Sequence, residues 1–387
     1  MEKLLALICF IVLCIGCSQS SPDSVVQTTD RNPQKEPTSS AQVSSEIDSI
    51  AMSFLQKSNS TALTIGIING DKVLKKYYGK LDRNSSQAPD SSTIYEIGSI
   101  TKTFTGILLA HAVNEGKLKL TDDIRKYLPG RYPQLEYKGQ PIQIVHLSNH
   151  NSGLPRKPHD LAAQPNYNPK NQYAHYTKEM MLNYLNQVKI NQQPGTVIIY
   201  SNYAVGLLGI ILERIYHKPL ELLVKQVITD PLGMHSTTFE VAEGNRKYIK
   251  GYDRDTGLEA SHWYLAGIRG CGGLKSNLDD MLRYVQANIS LTKPDMELSH
   301  QESKDANNKP NQQGLGWGMA VYYGGFNSFH HPLNKTNRKE KLICHGGETA
   351  GFNTFAGFLK SQKKGIVVLS NSNKSTVELA VQILKVM

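Results

Sequence analysis

Cysteine is scarce in this chain of 387 residues: there are five, and Cys9, Cys14 and Cys17 fall in the first seventeen positions. Only Cys271 and Cys344 remain in the body, too few for a disulfide framework. The twelve histidines include no His-Glu-x-x-His arrangement, which argues against that class of metallohydrolase, and His330-His331 reads as a surface loop. A Gly-x-Ser-x-Gly elbow is also missing, which disfavours an α/β-hydrolase. Internal repeats are absent. The net charge is +10, yet the lysines come as scattered pairs such as Lys75-Lys76 and Lys363-Lys364, with no long stripe and no interleaved aromatics. Such pairs are solvated faces, so no nucleic-acid partner is expected.

Long apolar runs are lacking too. Lys3 precedes one from Leu4 to Ile15, too short to span a bilayer but of signal-peptide length. It ends in Ile15-Gly16-Cys17, which resembles a bacterial lipoprotein processing box, with Cys14 where leucine is usual. Residues 1–16 are therefore expected to be a lipoprotein-type signal peptide, with lipid attached at Cys17; an ordinary cleaved signal is the alternative. Either way export to the cell envelope is expected. Ser18 favours the outer membrane, facing the periplasm, if the host has two membranes. Residues 17–44 are rich in Ser and Pro and poor in large apolar side chains, so they are expected to form a flexible tether.

From residue 45 the chain is expected to be one catalytic domain, 45–387. Ile47, Ile50 and Phe54 have helical spacing. "TALTIGII" and "KVLKKYYG" flank Asn69-Gly70-Asp71, a hairpin signal that predicts a type I′ turn. A helix is predicted from Ser99 to Asn114, ended by Gly116. Helical pieces follow at 142–148 and 177–188, and 201–216 is apolar nearly all round, as a buried helix is. Ser276/Asp279 and Ser375/Glu378 read as capping boxes, the second opening a final helix. "FNTFAGFL" and "KGIVVLSN" read as paired strands. Strands at both ends around a helical middle predict an α+β fold, with one antiparallel sheet formed by the terminal segments and an inserted, mainly helical lobe.

Within that frame, Ser99 and Lys102 stand three apart at a helix start and so share a face. Serine needs a neighbouring base to become a nucleophile, and an amine serves only where its surroundings favour the neutral form. Phe104, Ile107 and Leu108 supply apolar surroundings. Tyr200-Ser201-Asn202 follows an extended apolar stretch and opens the buried helix; a tyrosine can relay protons and an asparagine amide can grip a peptide group. His345-Gly346-Gly347 lies at a strand edge, where glycine lets a ligand backbone approach. Arg156 and Lys157, after "SGLP", read as a solvated loop.

In this order, Ser99-x-x-Lys102, Tyr200-x-Asn202 and His345-Gly346-Gly347 resemble the motifs of the class C β-lactamase and penicillin-binding-protein family of serine hydrolases. "HLSNHNSGLP", "DPLGMHSTTF" and "GLGWGM" resemble further family segments, and the likeness covers residues 46–385. It implies that Ser99 is acylated, that Lys102 and Tyr200 share the proton transfers, and that Asn202 binds the substrate's side-chain amide. His345 would face the substrate carboxylate, with Gly346 and Gly347 beside it. The backbone N–H groups of Ser99 and Glu348 would form the oxyanion hole. Neither metal nor other cofactor is implied, and a monomer is expected. The family's β-lactamases usually have Lys-Thr-Gly at His345-Gly346-Gly347. Histidine there resembles its DD-carboxypeptidases and D-aminopeptidases. A D-alanyl-D-alanine carboxypeptidase/endopeptidase acting on peptidoglycan stem peptides is thus expected ahead of a β-lactamase acting on β-lactams. An esterase or D-aminopeptidase comes next, and a non-enzymatic penicillin sensor last. Cys344 precedes this motif and Cys271 lies in a glycine-rich loop; a Cys271–Cys344 disulfide across the site rim and two free thiols are both open.

Overall fold

The computed structural model describes residues 40–322 and 340–387. The signal segment 1–16, Cys17, most of the 17–44 tether and His330-His331 lie outside the described residues. Along the chain come α1 (Ser40–Gln56), β1 (Ala62–Asn69), β2 (Lys72–Gly79), β3 (Tyr95–Glu96) and α2 (Thr101–Asn114). The middle holds β4 (Glu136–Tyr137), β5 (Gln140–Pro141), α3 (Ile144–Ser148), α4 (Lys178–Tyr184), α5 (Asn202–Tyr216) and α6 (Leu220–Val224). Then follow β6 (Gly251–Tyr252), β7 (Glu259–Ala260), β8 (Lys275–Ser276), α7 (Leu278–Ser290) and α8 (Pro294–Ser299). The chain closes with β9 (Gly318–Tyr322), β10 (Glu340–Glu348), β11 (Asn353–Leu359), β12 (Lys364–Ser370) and α9 (Val377–Val386).

Six of these strands form one antiparallel sheet in the order β2-β1-β12-β11-β10-β9. β1 from the start of the domain pairs with β12 from its end, Leu63 opposite Ser370 and Asn69 opposite Lys364. This is the predicted meeting of the terminal segments, with the helical lobe inserted between them. β1 is buried from Ala62 to Ile68 because both of its faces are covered. Leu63, Ile65 and Ile67 pack with Ile47 of α1 and with Leu379 and Ile383 of α9. On the other face Gly66 admits α7; a Cβ there would lie 2.8 Å from Leu278 and Leu282. The period of two holds in β10, where Leu342 and Cys344 join the α1/α9 side and Ile343 the lobe side.

Two helices are buried almost all round. In α2, eleven of fourteen residues are buried, and α5 is buried from Tyr203 to Leu212. A helix with no polar stripe has to sit inside the lobe. Gly206, as its sequence setting suggests, permits close approach: a Cβ there would overlap Ile268.

Four local expectations change. Asn69 pairs with Lys72, so Gly70 and Asp71 form the hairpin loop, and only Gly70 has positive φ, +61°. That is the type II′ pattern, not type I′. The 17–44 tether ends early, since α1 begins at Ser40: Val43 packs on the α1/α9 core, and Ser44 Oγ accepts from Lys76 Nζ at 2.8 Å. The cap of α7 is Asn277, which accepts the Asp280 N–H at 2.9 Å; Ser276 is instead paired with Tyr95 in the short β3–β8 ladder. Similarly, α9 starts after Thr376, whose N–H and hydroxyl both donate to Asn353 Oδ1. In the last three cases a tertiary partner outcompeted the local rule.

Candidate active site

The serine comes first because its turn is the most constrained part of the site. Gly98–Ile100 form one 3₁₀ turn leading into α2. Gly98 has φ +49°, and a Cβ there would lie 2.7 Å from the Glu348 backbone nitrogen. Only glycine suits both the left-handed backbone and the approach of β10. The residue preceding α2 is Ile100, which makes no side-chain cap bond. Ser99 is thus not spent as a helix cap.

The Ser99 hydroxyl faces an amine. Lys102 is fully buried, and its Nζ lies 2.9 Å from Ser99 Oγ, 2.9 Å from Asn202 Oδ1 and 2.6 Å from the Cys271 carbonyl oxygen. An amine of this kind is costly to bury unless each N–H finds an acceptor. Here there are three acceptors, and only Ser99 can also donate. A neutral amine can therefore keep two N–H bonds, to Asn202 and Cys271, while its lone pair accepts the serine proton.

Tyr200 lies beside this pair. Lys102 Nζ is 4.8 Å and the Arg156 guanidinium 5.0 Å from its ring centre. The His150 ring is 4.3 Å away and the His345 ring 6.4 Å. The backbone on both sides of Tyr200 is held by His150: Ile199 N–H donates to its carbonyl at 2.7 Å and Ser201 N–H to its Nδ1 at 3.2 Å. Burial, then the Lys102 charge, keeps His150 well below the usual histidine range. Next in the chain, the Ser201 hydroxyl accepts the Ala204 N–H at 2.9 Å and caps α5, which fixes Asn202 in the first turn. With Oδ1 taken by Lys102, the Asn202 Nδ2 donors are left for the Tyr173 hydroxyl, at 3.5 Å, and the cleft. Burial pushes the Tyr173 phenol up to about 12.

The third segment is the end of β10. Beyond Cys344 the partner strand β9 stops, so residues 345–348 pair with β11 alone and turn a free edge to the Ser99 turn. A Cβ on Gly347 would overlap the Ile97 carbonyl oxygen and Thr354 Oγ1. His345 is half-buried, and its Nδ1 donates to the Gly346 carbonyl at 2.6 Å. Burial first, and the Lys102 charge while that amine is protonated, push its pKa down to about 4. In the neutral ring that burial favours, with Nδ1–H on that carbonyl, Nε2 carries a lone pair.

Ser99, Tyr200, Asn202, His345, Gly346, Gly347 and Glu348 all line one cleft of about 1170 Å³, and Lys102 lies beneath it. Arg156 and Lys157 line it as well, so their loop is exposed but not remote from the site. The disulfide reading is corrected. Cys271 and Cys344 are free and buried in separate cores, Cys271 with the helical lobe and Cys344 on the α1/α9 side of β10. Strand alternation turns Cys344 away from the cleft that His345 faces. Burial pushes the Cys344 thiol up to about 12 and raises that of Cys271 as well. Among the described residues no group of three or more His, Cys, Asp or Glu could hold a metal ion.

Sequence reasoning missed His150, Tyr173 and the Cys271 carbonyl. His150 sits in "HLSNHNSGLP", but its imidazole carries no spacing signal. The string Glu-x-x-Leu-Asn, whose glutamate serves deacylation in class A β-lactamases, also occurs, at Glu179–Asn183. Glu179 is exposed in the first turn of α4 and is not among the cleft residues.

Comparison with known proteins agrees with this geometry. The chain is 26% identical over 364 residues to a β-lactamase of Pseudomonas fluorescens, covering 86% of this chain and 94% of that protein. It is 31% identical over 245 residues to the D-alanyl-D-alanine-carboxypeptidase/endopeptidase AmpH of Escherichia coli K12, covering 63% of this chain and 61% of that protein's length. The fold matches a crystal structure of a β-lactamase/D-alanine carboxypeptidase from Yersinia pestis, with TM-score 0.74 and 24% identity over 90% of this chain and 99% of that one. A second, from Pseudomonas syringae, gives TM-score 0.72 at 24% identity over 89% and 98%. A family model described as Beta-lactamase matches residues 48–386, and the chain belongs to the β-lactamase family.

Proposed function

We propose that this protein is a serine hydrolase working through an acyl-enzyme on Ser99, and that its substrates are peptidoglycan stem peptides cleaved as by a D-alanyl-D-alanine carboxypeptidase/endopeptidase. The observation that carries the proposal is the 2.9 Å contact between Lys102 Nζ and Ser99 Oγ, within a set of acceptors of which only the serine can give up a proton. In the first step the Ser99 proton passes to Lys102 as Oγ bonds to the substrate carbonyl carbon, and the carbonyl π electrons move to oxygen. The backbone N–H groups of Ser99 and Glu348 receive that oxyanion; each such donor is worth about 10²–10³ in rate. As the tetrahedral adduct collapses, the proton moves from Lys102 by way of the Tyr200 hydroxyl to the leaving amine, and the C–N bond breaks. Water repeats the sequence in reverse, with Tyr200 and Lys102 taking its proton and returning one to Ser99. Asn202 Nδ2 donates to the carbonyl of the acyl-side amide.

A second reading, β-lactamase, is favoured by the match along 94% of the Pseudomonas fluorescens enzyme. The two differ in how fast water reaches the acyl group. Intact mass spectra after exposure to a β-lactam separate them: a persistent adduct on Ser99 together with D-alanine release from a stem-peptide mimic marks the peptidase, and a transient adduct marks the β-lactamase. A persistent adduct without D-alanine release would make the protein a sensor. No adduct, or an equal one on Ser99→Ala, refutes the mechanism.

The site is proposed to work in the cell envelope, held to a membrane by lipid on Cys17 through the tether that precedes α1. A flexible link lets the domain sample nearby polymer without leaving the surface. Fractionation of a Cys17→Ala variant tests this: release of the protein from membranes is expected.

A further inference from the structure

A cleft that binds an acidic peptide needs a charge the substrate can reach, and neither of the expected groups provides one. His345 has its Nδ1–H committed to the Gly346 carbonyl, and the neutral ring that burial favours offers a lone pair on Nε2. Lys102 lies at zero exposure with all its N–H groups engaged. The cations that do line the cleft are Arg156, Lys157 and Lys170, all on the loops between α3 and α4. Among the described residues none of them is ion-paired with a carboxylate; Lys157 reaches only Gln172 Oε1, at 3.4 Å. Of the acids that line the cleft, Asp253 and Glu259 are satisfied within the protein, while Glu348 is exposed beside the His345-Gly346-Gly347 segment, away from the Arg156 loop in sequence. Asp253 accepts N–H bonds from Asp255 and Thr256, and Glu259 is paired with Lys250 at 2.8 Å.

Arg156 is the best placed of the three. Its main-chain carbonyl accepts the Asn202 N–H at 3.0 Å and the Tyr203 N–H at 3.3 Å, which roots it at the start of α5. Its guanidinium stands 5.0 Å over the Tyr200 ring. A guanidinium held near an aromatic face keeps its planar fork of donors, which matches a carboxylate bidentately. Its neighbour Asn202 is the residue that takes the acyl-side amide in the mechanism above, so the charge falls on the acyl half of the substrate. Lys157 and Lys170 extend it along the same wall.

We infer that Arg156, backed by Lys157 and Lys170, forms a carboxylate-binding subsite for the acyl half of the substrate, so that the enzyme selects acyl donors carrying an acidic group N-terminal to the scissile carbonyl. The inference rests on the Ser99 acyl-enzyme reading for its orientation. Stem peptides have this chemistry, with carboxylates preceding the terminal D-alanines.

The test compares two thiolactate esters with the same leaving group, N-glutarylglycyl and its uncharged isostere N-glutaramoylglycyl. In the wild type, kcat/KM should favour the acid about tenfold at low salt, the gain expected of one charge-assisted contact, and the ratio should shrink as salt rises. Arg156→Ala should bring the ratio to about one, Arg156→Glu should invert it, and Arg156→Lys should keep part of it. The ratio cancels any general effect on Tyr200. A wild-type ratio near one, or an Arg156→Ala variant that keeps the preference, overturns the inference. If neither ester acylates Ser99, the acyl-enzyme reading is what fails. Calorimetry with glutarylglycine then decides the subsite alone: about tenfold weaker binding to Arg156→Ala supports it, and equal binding rejects it.

Discussion

Adding one methyl group at position 347 should disable the site, and adding one at 346 should not do so to the same degree. A Cβ on Gly347 would run into the Ile97 carbonyl oxygen and Thr354 Oγ1, whereas one on Gly346 would meet nothing nearer than 3.8 Å. The first overlap can be relieved only by moving the end of β10 away from the Ser99 turn by about 1 Å. Overpacking of that kind costs about 1–3 kcal/mol of stability. Displacing catalytic groups by about 1 Å costs on the order of 10² in rate. The two backbone N–H groups proposed for the oxyanion sit on opposite sides of this contact, so both effects fall on one measurement. Acylation by a fluorescent penicillin, followed as a second-order rate constant, should fall about 100-fold in Gly347→Ala, and the thermal midpoint should fall by several degrees. Gly346→Ala should lose far less of both. If Gly347→Ala acylates within threefold of the wild type, the packing of β10 against the serine turn does not set the oxyanion hole.

Lys102→Met keeps the length of the side chain and removes its nitrogen; acylation should drop by about 10²–10⁴, the span of general-base effects, and a loss below tenfold would reject Lys102 as the base. Stability should weaken on acidification. Burial depresses His146 and His345 to about 4, His300 to about 3, and His150 well below its usual range. Since unfolded histidines titrate near ~6.5, the unfolded chain takes up protons that the folded one refuses, and this stabilisation is lost as pH falls from ~6.5 towards ~4. Even discounting half-buried His345, the urea midpoint should drop between pH 7 and 5 by an amount on the order of a few kcal/mol in unfolding free energy; a flat profile would contradict the burial of these rings. Cys271 and Cys344 should resist iodoacetamide in the folded protein and react on unfolding, located by peptide mapping; native labelling of either would contradict their burial.

The architecture was legible because it follows from order along the chain. Strands at both ends and apolar helices between them leave few ways to close an antiparallel sheet, and β1 against β12 is one of these. Ser99 and Lys102 were legible as a spacing, since a helical period puts them on one face; Tyr200, Asn202 and His345 were singled out by the order of three motifs and the family resemblance they carry. What the sequence did not reveal depends on partners distant in the chain. Ser276 fits a capping rule, but its place opposite Tyr95 in the β3–β8 ladder passes the cap to Asn277. His150 gained its place from the two N–H groups flanking Tyr200, fifty residues away in sequence. The state of His345 depends on burial and on an amine in another element, neither of which composition records. The free thiols show the converse: alternation along β10 already places Cys344 and His345 on opposite faces, and applying the period of two there would have separated Cys344 from the cleft.

The hydrogen-bond direction at Asn202 ties substrate binding to the base. Lys102 donates to Oδ1, so the amide presents its Nδ2 hydrogens to the cleft, and a bound acyl-side carbonyl becomes the next acceptor in a chain running Lys102, Asn202, substrate. Bonds in such a chain polarise one another, each donor strengthening as the group behind it accepts. Occupation of the cleft would therefore strengthen Oδ1 as an acceptor and hold the Lys102 nitrogen with its lone pair towards Ser99. The Cys271 carbonyl provides the second fixed point, and two fixed N–H bonds leave the amine one direction for the third. This explains why a buried amine is paired with two acceptors that have no proton to give. They orient the nitrogen, and the serine is the one partner with which a proton can be exchanged.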